Sequence, residues 1–258
     1  VKATEIRYDP RCSDPTSFIN LFALNVTSEE SECVSIVAGY SSAIYVSPSS
    51  LYLTFTRWPE NTFFTLPTLD ISPETSAMTA IYKISIDGLS MQAVARGEVE
   101  GWLLNQFSMD EKDGFLRVAT TTSWVNPVNH VFVLDGGMGV VGSLTNLAPD
   151  ERIYSARFVG DTLYLVTFQQ IDPLFVIDLS NPFQPRVVGE LKIPGASNYL
   201  HPVGADMLLG IGFQDGCVKV SLFDVGDSSE PYEIDSYLLD TWSHSIAQYD
   251  HHAVLFDE

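Results

Sequence analysis

Residues 151–193 run through four short apolar segments, each closed by turn-forming residues, and the same pattern recurs along most of the chain. Residues 154–159 give way to Gly160-Asp161, residues 163–168 to a polar break ending at Pro173, residues 174–178 to Ser180-Asn181-Pro182, and residues 186–193 to Pro194-Gly195. Runs this short, rich in Val, Ile, Leu, Phe and Tyr and bounded by Gly, Asn, Asp and Pro, predict strands joined by hairpins. The third run of each set ends in an amide or carboxylate, at Asn25, Asp87, Asp135, Asp178 and Asp224, with intervals of 62, 48, 43 and 46 residues. A period of about 40–50 residues with four strands per repeat is that of a propeller blade. The expected fold is all-β, a β-propeller of four-stranded antiparallel blades about five blade-equivalents long, in one domain over residues 1–258.

The second strands recur in step, at residues 51–55, 115–119, 163–167, 207–211 and 253–256. The long first interval holds an insertion at residues 58–78, whose Pro59, Pro67 and Pro73 suit a surface loop between second and third strands. At the N-terminal end residues 18–25 and 33–39 read as a third and a fourth strand, with residues 4–8 the one candidate for an earlier strand. At the C-terminal end residues 245–249 and 253–256 read as a first and a second. These complementary halves predict closure into a five-bladed ring, the alternative being an arc of a larger propeller. Sustained helical periodicity is lacking, and residues 109–113 and 227–230 offer single turns.

Thirteen Lys and Arg against 33 Asp and Glu give a net charge of -20, which repels phosphate backbones and anionic membranes. No nucleic-acid partner is expected, and no run of about 18 apolar residues predicts membrane insertion. Of three cysteines, Cys12 and Cys33 flank the first strong strand and are candidates for a disulfide, while Cys217 opens a strand and reads as a small core residue. Together with the acceptor triplet Asn25-Val26-Thr27, they point to an extracytoplasmic protein.

Several phrases are longer and odder than a blade consensus: LLNQFSMDEKDGFLRVATT at residues 103–121, the stretch at 154–182, NYLHP at 198–202, VSLFDV at 220–225 and YDHHAVLFD at 249–257. Over residues 40–258 the chain resembles the family of secreted bacterial and archaeal proteins with a C-terminal β-propeller, distantly related to WD repeats. The resemblance implies a propeller that is secreted or displayed at the cell surface, and a protein longer than this chain. It brings no established reaction. His251-His252 departs from the family pattern, where a single His followed by Lys is more typical.

The carboxylates Asp87, Asp135, Asp178 and Asp224 precede turn residues, so they are expected to cap turns by accepting backbone N–H groups. Calcium on them is the alternative, and no other cofactor is expected. Nucleotide-binding glycine loops and zinc-ligand motifs are absent. His244, His251 and His252, near Asp240 and Asp250, hold the imidazoles and carboxylates of a transition-metal site. In a strand, however, successive residues face opposite ways, so no metal ligand set is expected. Asn105, Tyr154, Ser155, His201 and Ser245 fall at the starts of first strands, which line a propeller's channel, and form the expected ligand-binding ring. Trp58, Trp102, Trp124 and Trp242 fall at strand ends or in loops, where exposure would be informative. The expected role is a non-catalytic scaffold for a protein, glycan or small ligand. The alternative is an extracellular carbohydrate hydrolase with paired carboxylates near the axis, for which Asp110 is the main candidate.

Overall fold

The computed structural model describes residues 6–8, 17–39, 41–58, 76–168 and 172–256. Cys12 and residues 59–75 of the insertion lie outside them. Among the described residues nineteen strands, numbered in chain order, form five sheets: one of three strands, in the order β1(Ile6–Tyr8)-β3(Ser31–Ala38)-β2(Ser17–Leu24), and four of four. The second sheet is β4(Ala43–Val46), β5(Ser50–Arg57), β6(Met78–Asp87) and β7(Ser90–Glu100), and the third is β8(Met109–Lys112), β9(Phe115–Thr121), β10(Asn129–Leu134) and β11(Val140–Leu147). The fourth is β12(Arg152–Val159), β13(Thr162–Phe168), β14(Asp172–Asp178) and β15(Arg186–Ile193). The fifth is β16(Ala196–Val203), β17(Met207–Gln214), β18(Cys217–Asp224) and β19(Tyr232–Leu238). Each four-stranded sheet is an antiparallel meander, so every neighbour in sequence is a neighbour in the sheet. Asp113-Gly114 and Asp215-Gly216 both take positive φ at both residues, the geometry that lets a two-residue turn follow strand twist.

Alternation explains the stacking. Along β13, Leu163 and Leu165 join one buried cluster with Ala119 and Val131 of the third sheet, while Tyr164 and Val166 face Leu200 and Leu208 of the fifth. Likewise Tyr52 of β5 packs towards Leu116 and Val118, and its neighbour Leu53 towards Ile36 and Ala38 of the first sheet. A strand buried on both faces by successive residues lies inside a face-to-face stack. The four main clusters each sit between consecutive sheets, in chain order.

The fourth strands carry a further repeat. β11 and β15 each bulge one residue before a glycine, Gly142 opposite Val133 and Gly189 opposite Val176. A Cβ at Gly142 would run into the carbonyl oxygen of Pro182, and one at Gly189 into that of Ser228. Gly97 of β7 receives Met138 in the same way, shifted along the strand. Each glycine thus seats the loop between third and fourth strands of the next sheet. In β19 the residue after the bulge is Asp235.

Four expectations need correction. Residues 245–249 and 253–256 form no strands; two 3-10 turns, Ile246–Gln248 and His251–Ala253, stand there instead. Ser245 accepts from Ala247 N while Gln248 reaches back to Ser245 N, and Asp250 accepts from His252 N, so local capping wins over a short apolar run. β1 is no first strand, since it pairs parallel on the outer side of β3. With no C-terminal pair to complete the first sheet, the described residues form an arc and no closed ring. The turn expected at residues 109–113 is β8, the 3-10 turn lying just before it at Gln106–Ser108. Among the described residues no helix is long and apolar enough to cross a membrane.

Candidate functional site

In a four-stranded meander, the second-to-third and fourth-to-first connections leave from the same end. All four tryptophans of the chain lie there. Trp58 follows β5, Trp102 bridges to Thr121 between β7 and β8, and Trp124 follows β9. Their rings meet as a triad, with centroids 5.0 Å apart for Trp58–Trp102, 5.0 Å for Trp102–Trp124 and 6.1 Å for Trp58–Trp124. Trp58 and Trp124 remain 39% and 55% exposed. The Arg152 guanidinium lies 5.0 Å from the Trp124 ring centroid.

Beyond Arg152 the aromatic surface continues through Tyr154, Phe168 and Phe213, which meet edge-on or tilted at 5.4, 5.4 and 6.2 Å. Two open grooves share Phe168. One, of about 320 Å³, is lined by Trp124, Asn126, Pro127, Asp150, Arg152, Tyr154 and Phe168. The other, of about 460 Å³, runs over Ile193, Pro194, Phe213, Gln214 and Asp215. Trp242, 81% exposed, lies over Gly216, where a Cβ would meet its indole, and turns edge-on to His244. The surface is thus aromatic, flat in places and edged with amide, carboxylate and guanidinium groups.

The expected ring of ligand residues does not assemble as one site. Tyr154 lines the tryptophan-side groove. Asn105 and Ser245 spend their side chains capping 3-10 turns, on Phe107 N and Ala247 N. Ser155 is buried in β12. His201 lies on β16 with its Nδ1 3.0 Å from the Tyr199 hydroxyl. Tyr199 packs edge-on to Phe107, and Arg157 covers Phe107 at 4.9 Å, beside an inner cavity of about 480 Å³ lined also by Ile44, Val46 and Gln106. Of the turn carboxylates, Asp135 accepts from Gly137 N and Gly139 N, Asp178 from Ser180 N and Asp224 from Gly226 N; Asp87 precedes Gly88 at φ +58°. Cys33 is half-buried on β3.

Carboxylates nearest the inner strands are already engaged. Asp110 pairs with Arg117, whose guanidinium also donates to Gly160 O at 2.8 Å. Glu111 lies 3.3 Å from Lys83 Nζ and accepts from Ser47 and Ser50. Burial works to raise its pKa, but the hydrogen bond from Ser47, the nearby Tyr52 hydroxyl and the Lys83 charge outweigh that and hold it below the ordinary carboxylate range. Burial and the same carboxylate push the Tyr52 phenol strongly up.

Sequence reasoning flagged the tryptophans but missed their partners Arg152, Phe168 and Phe213. The signal was positional. Trp58 and Trp124 stand just past the second strands β5 and β9, and Phe168 and Phe213 at the last residues of β13 and β17, so all four lie at the same end of successive blades.

Comparison with known proteins bears on the fold. The model of the beta propeller domain family matches residues 1–258. An uncharacterized protein of Methanocaldococcus jannaschii is 49% identical over 185 residues, covering 70% of this chain and 29% of its own length. One from Archaeoglobus fulgidus is 49% identical over 180 residues, covering 69% and 28%. The chain therefore spans under a third of these relatives. Among solved structures, a variant of the Synechocystis apocarotenoid oxygenase superposes with a TM-score of 0.52 at 12% identity, over 88% of this chain and 56% of that one. A second variant of that oxygenase superposes equally well over 86% of this chain. At such identity the likeness is one of fold.

Proposed function

The chain belongs to the beta propeller domain family, and on that premise we propose that it is a non-catalytic binding module of a secreted or cell-surface protein, with a glycan as its ligand. One observation carries this: a triad of indoles, two of them substantially exposed, gathered from three separate connections and capped by Arg152. Large aromatic surface left open to water needs a partner, and a contiguous patch marks a binding face. A sugar ring offers an apolar C–H face to an indole and hydroxyls to the Asn126, Asp150 and Arg152 groups of the adjoining groove. The charge of -20 disfavours polyanionic ligands, so neutral glycans suit the face best. The extracytoplasmic setting is supported by the sequence resemblance over residues 40–258.

Hydrolysis has less behind it, because Asp110 is tied to Arg117 and Glu111 to Lys83 and Ser47. Screening the protein on a glycan array, then titrating the retained sugar into wild type, Trp124→Ala and Arg152→Ala, tests the proposal. Trp124→Ala is expected to weaken binding about tenfold or more, the scale of a lost aromatic anchor. Retention of no glycan, or equal affinity in Trp124→Ala, would overturn it. Release of reducing sugar during the titration would favour the hydrolase instead.

A further inference from the structure

Beside the inner cavity, and away from the tryptophans, we propose that Asp250, His251 and His252 form a site for a divalent transition-metal ion of the zinc class. One ligand atom from each lies within 4.8 Å of the others. The 3-10 turn achieves what a strand forbids: it sets the two imidazoles side by side, with centroids 3.9 Å apart and planes tilted by 38°.

The groups are held in place. Asp250 caps the turn, accepting from His252 N at 3.0 Å, and its Oδ1 lies 2.8 Å from His252 Nδ1. His251 stands edge-on to Phe107 at 5.0 Å, with its Nε2 3.2 Å from the Gln106 amide nitrogen. Imidazole ligates metals through a ring-nitrogen lone pair, which His251 and His252 can each offer.

The donor set decides the class of ion. Two imidazole nitrogens and one carboxylate suit zinc, copper or nickel, whereas calcium and magnesium take oxygen ligands. Zinc bonds of about 2.0–2.1 Å place tetrahedral donors roughly 3.4 Å apart, so donors within 4.8 Å of one another need to draw together, a movement the exposure of His252 permits. Three protein ligands leave a coordination position for water or a ligand. Through His251 and Phe107 the ion would also fasten residues 250–253 to the turn Gln106–Ser108, which is otherwise joined to them by ring contact and one hydrogen bond.

Calorimetric titration of the chelator-treated protein with zinc chloride at neutral pH tests the site, with calcium chloride titrated in parallel. Wild type is expected to take one zinc ion per chain at micromolar affinity and to melt at a higher temperature with zinc present. His252→Ala should bind about tenfold more weakly or worse, as should Asp250→Asn, which keeps a good turn cap; His244→Ala should match wild type. His252 is 79% exposed, so its variant is expected to fold, and an unchanged far-ultraviolet spectrum checks this. Absence of zinc binding by wild type, equal affinity in His252→Ala, or a tighter calcium complex would each overturn the proposal. None of these readouts involves the tryptophan face, so a failure here leaves the glycan proposal standing, and the reverse holds.

Discussion

Glu111 shows how one buried carboxylate ties two sheets. It stands on β8 but takes its partners from the second sheet, Lys83 on β6 and Ser47 and Ser50 at the β4–β5 turn. Its pKa is lower in the folded chain than the ordinary 4.5, so its stabilising effect is fully present above that value and fades as pH falls through the folded pKa. Denaturant unfolding followed from neutral pH downward should show stability dropping below about 4.5, and Glu111→Gln should flatten that part of the profile. At neutral pH the same substitution leaves the half-buried Lys83 ammonium without its counter-charge, at a cost of about 1–3 kcal/mol. His130 adds to the acid sensitivity from a higher starting point. Burial lowers its pKa from 6.5 despite the nearby Glu100, so its neutral form favours the fold and stability is lost as pH falls below 6.5.

At the level of the element, the glycines of the fourth strands make a specific demand. Gly142→Ala places a methyl group against the backbone of Pro182 and Phe183, which cannot swing aside, and should cost about 1–3 kcal/mol in equilibrium unfolding. Gly136, with open space around the equivalent atom, should accept alanine within about 0.5 kcal/mol. These sockets were invisible in the sequence because a glycine in a strand looks the same whether it bends the chain or admits a neighbour. The third strands were legible, since β6, β10, β14 and β18 combine an alternating or continuous apolar run with a carboxylate at the end. The C-terminal turns were not, because four apolar residues fit either state and only the reach of Ser245, Gln248 and Asp250 to nearby amides decides between them. The same expectation hid the grouping of Asp250, His251 and His252, since a strand would have turned His251 and His252 apart. For the candidate ring, Asn105 and Ser245 look like ligand residues in sequence but are consumed by their own turns.

Across the whole molecule the excess of acid is unevenly answered. With 33 Asp and Glu against 13 Lys and Arg, a net charge of -20, acidic groups outnumber basic ones and self-repulsion works against the compact state. Thermal melts in rising sodium chloride should therefore move upward by several degrees and level off once the screening length falls to a few ångströms, near 1 M. A flat response would mean that the ion pairs on Lys83, Arg117 and Lys219 already balance the local field. The first sheet meanwhile exposes Phe18, Phe22 and Leu24 on the side of β2 away from Ile19 and Leu21, leaving one end of the stack with an uncovered apolar surface.

Gly97, Gly142 and Gly189 all receive a loop from the sheet that follows and none from the sheet before. The stack therefore has a sense of direction, like tiles overlapped one way. The second, third and fourth sheets each present a receptacle that is filled by the next stretch of polypeptide. Docking in the order of synthesis, from the amino end onward, therefore meets a ready-made seat when the third, fourth and fifth sheets arrive.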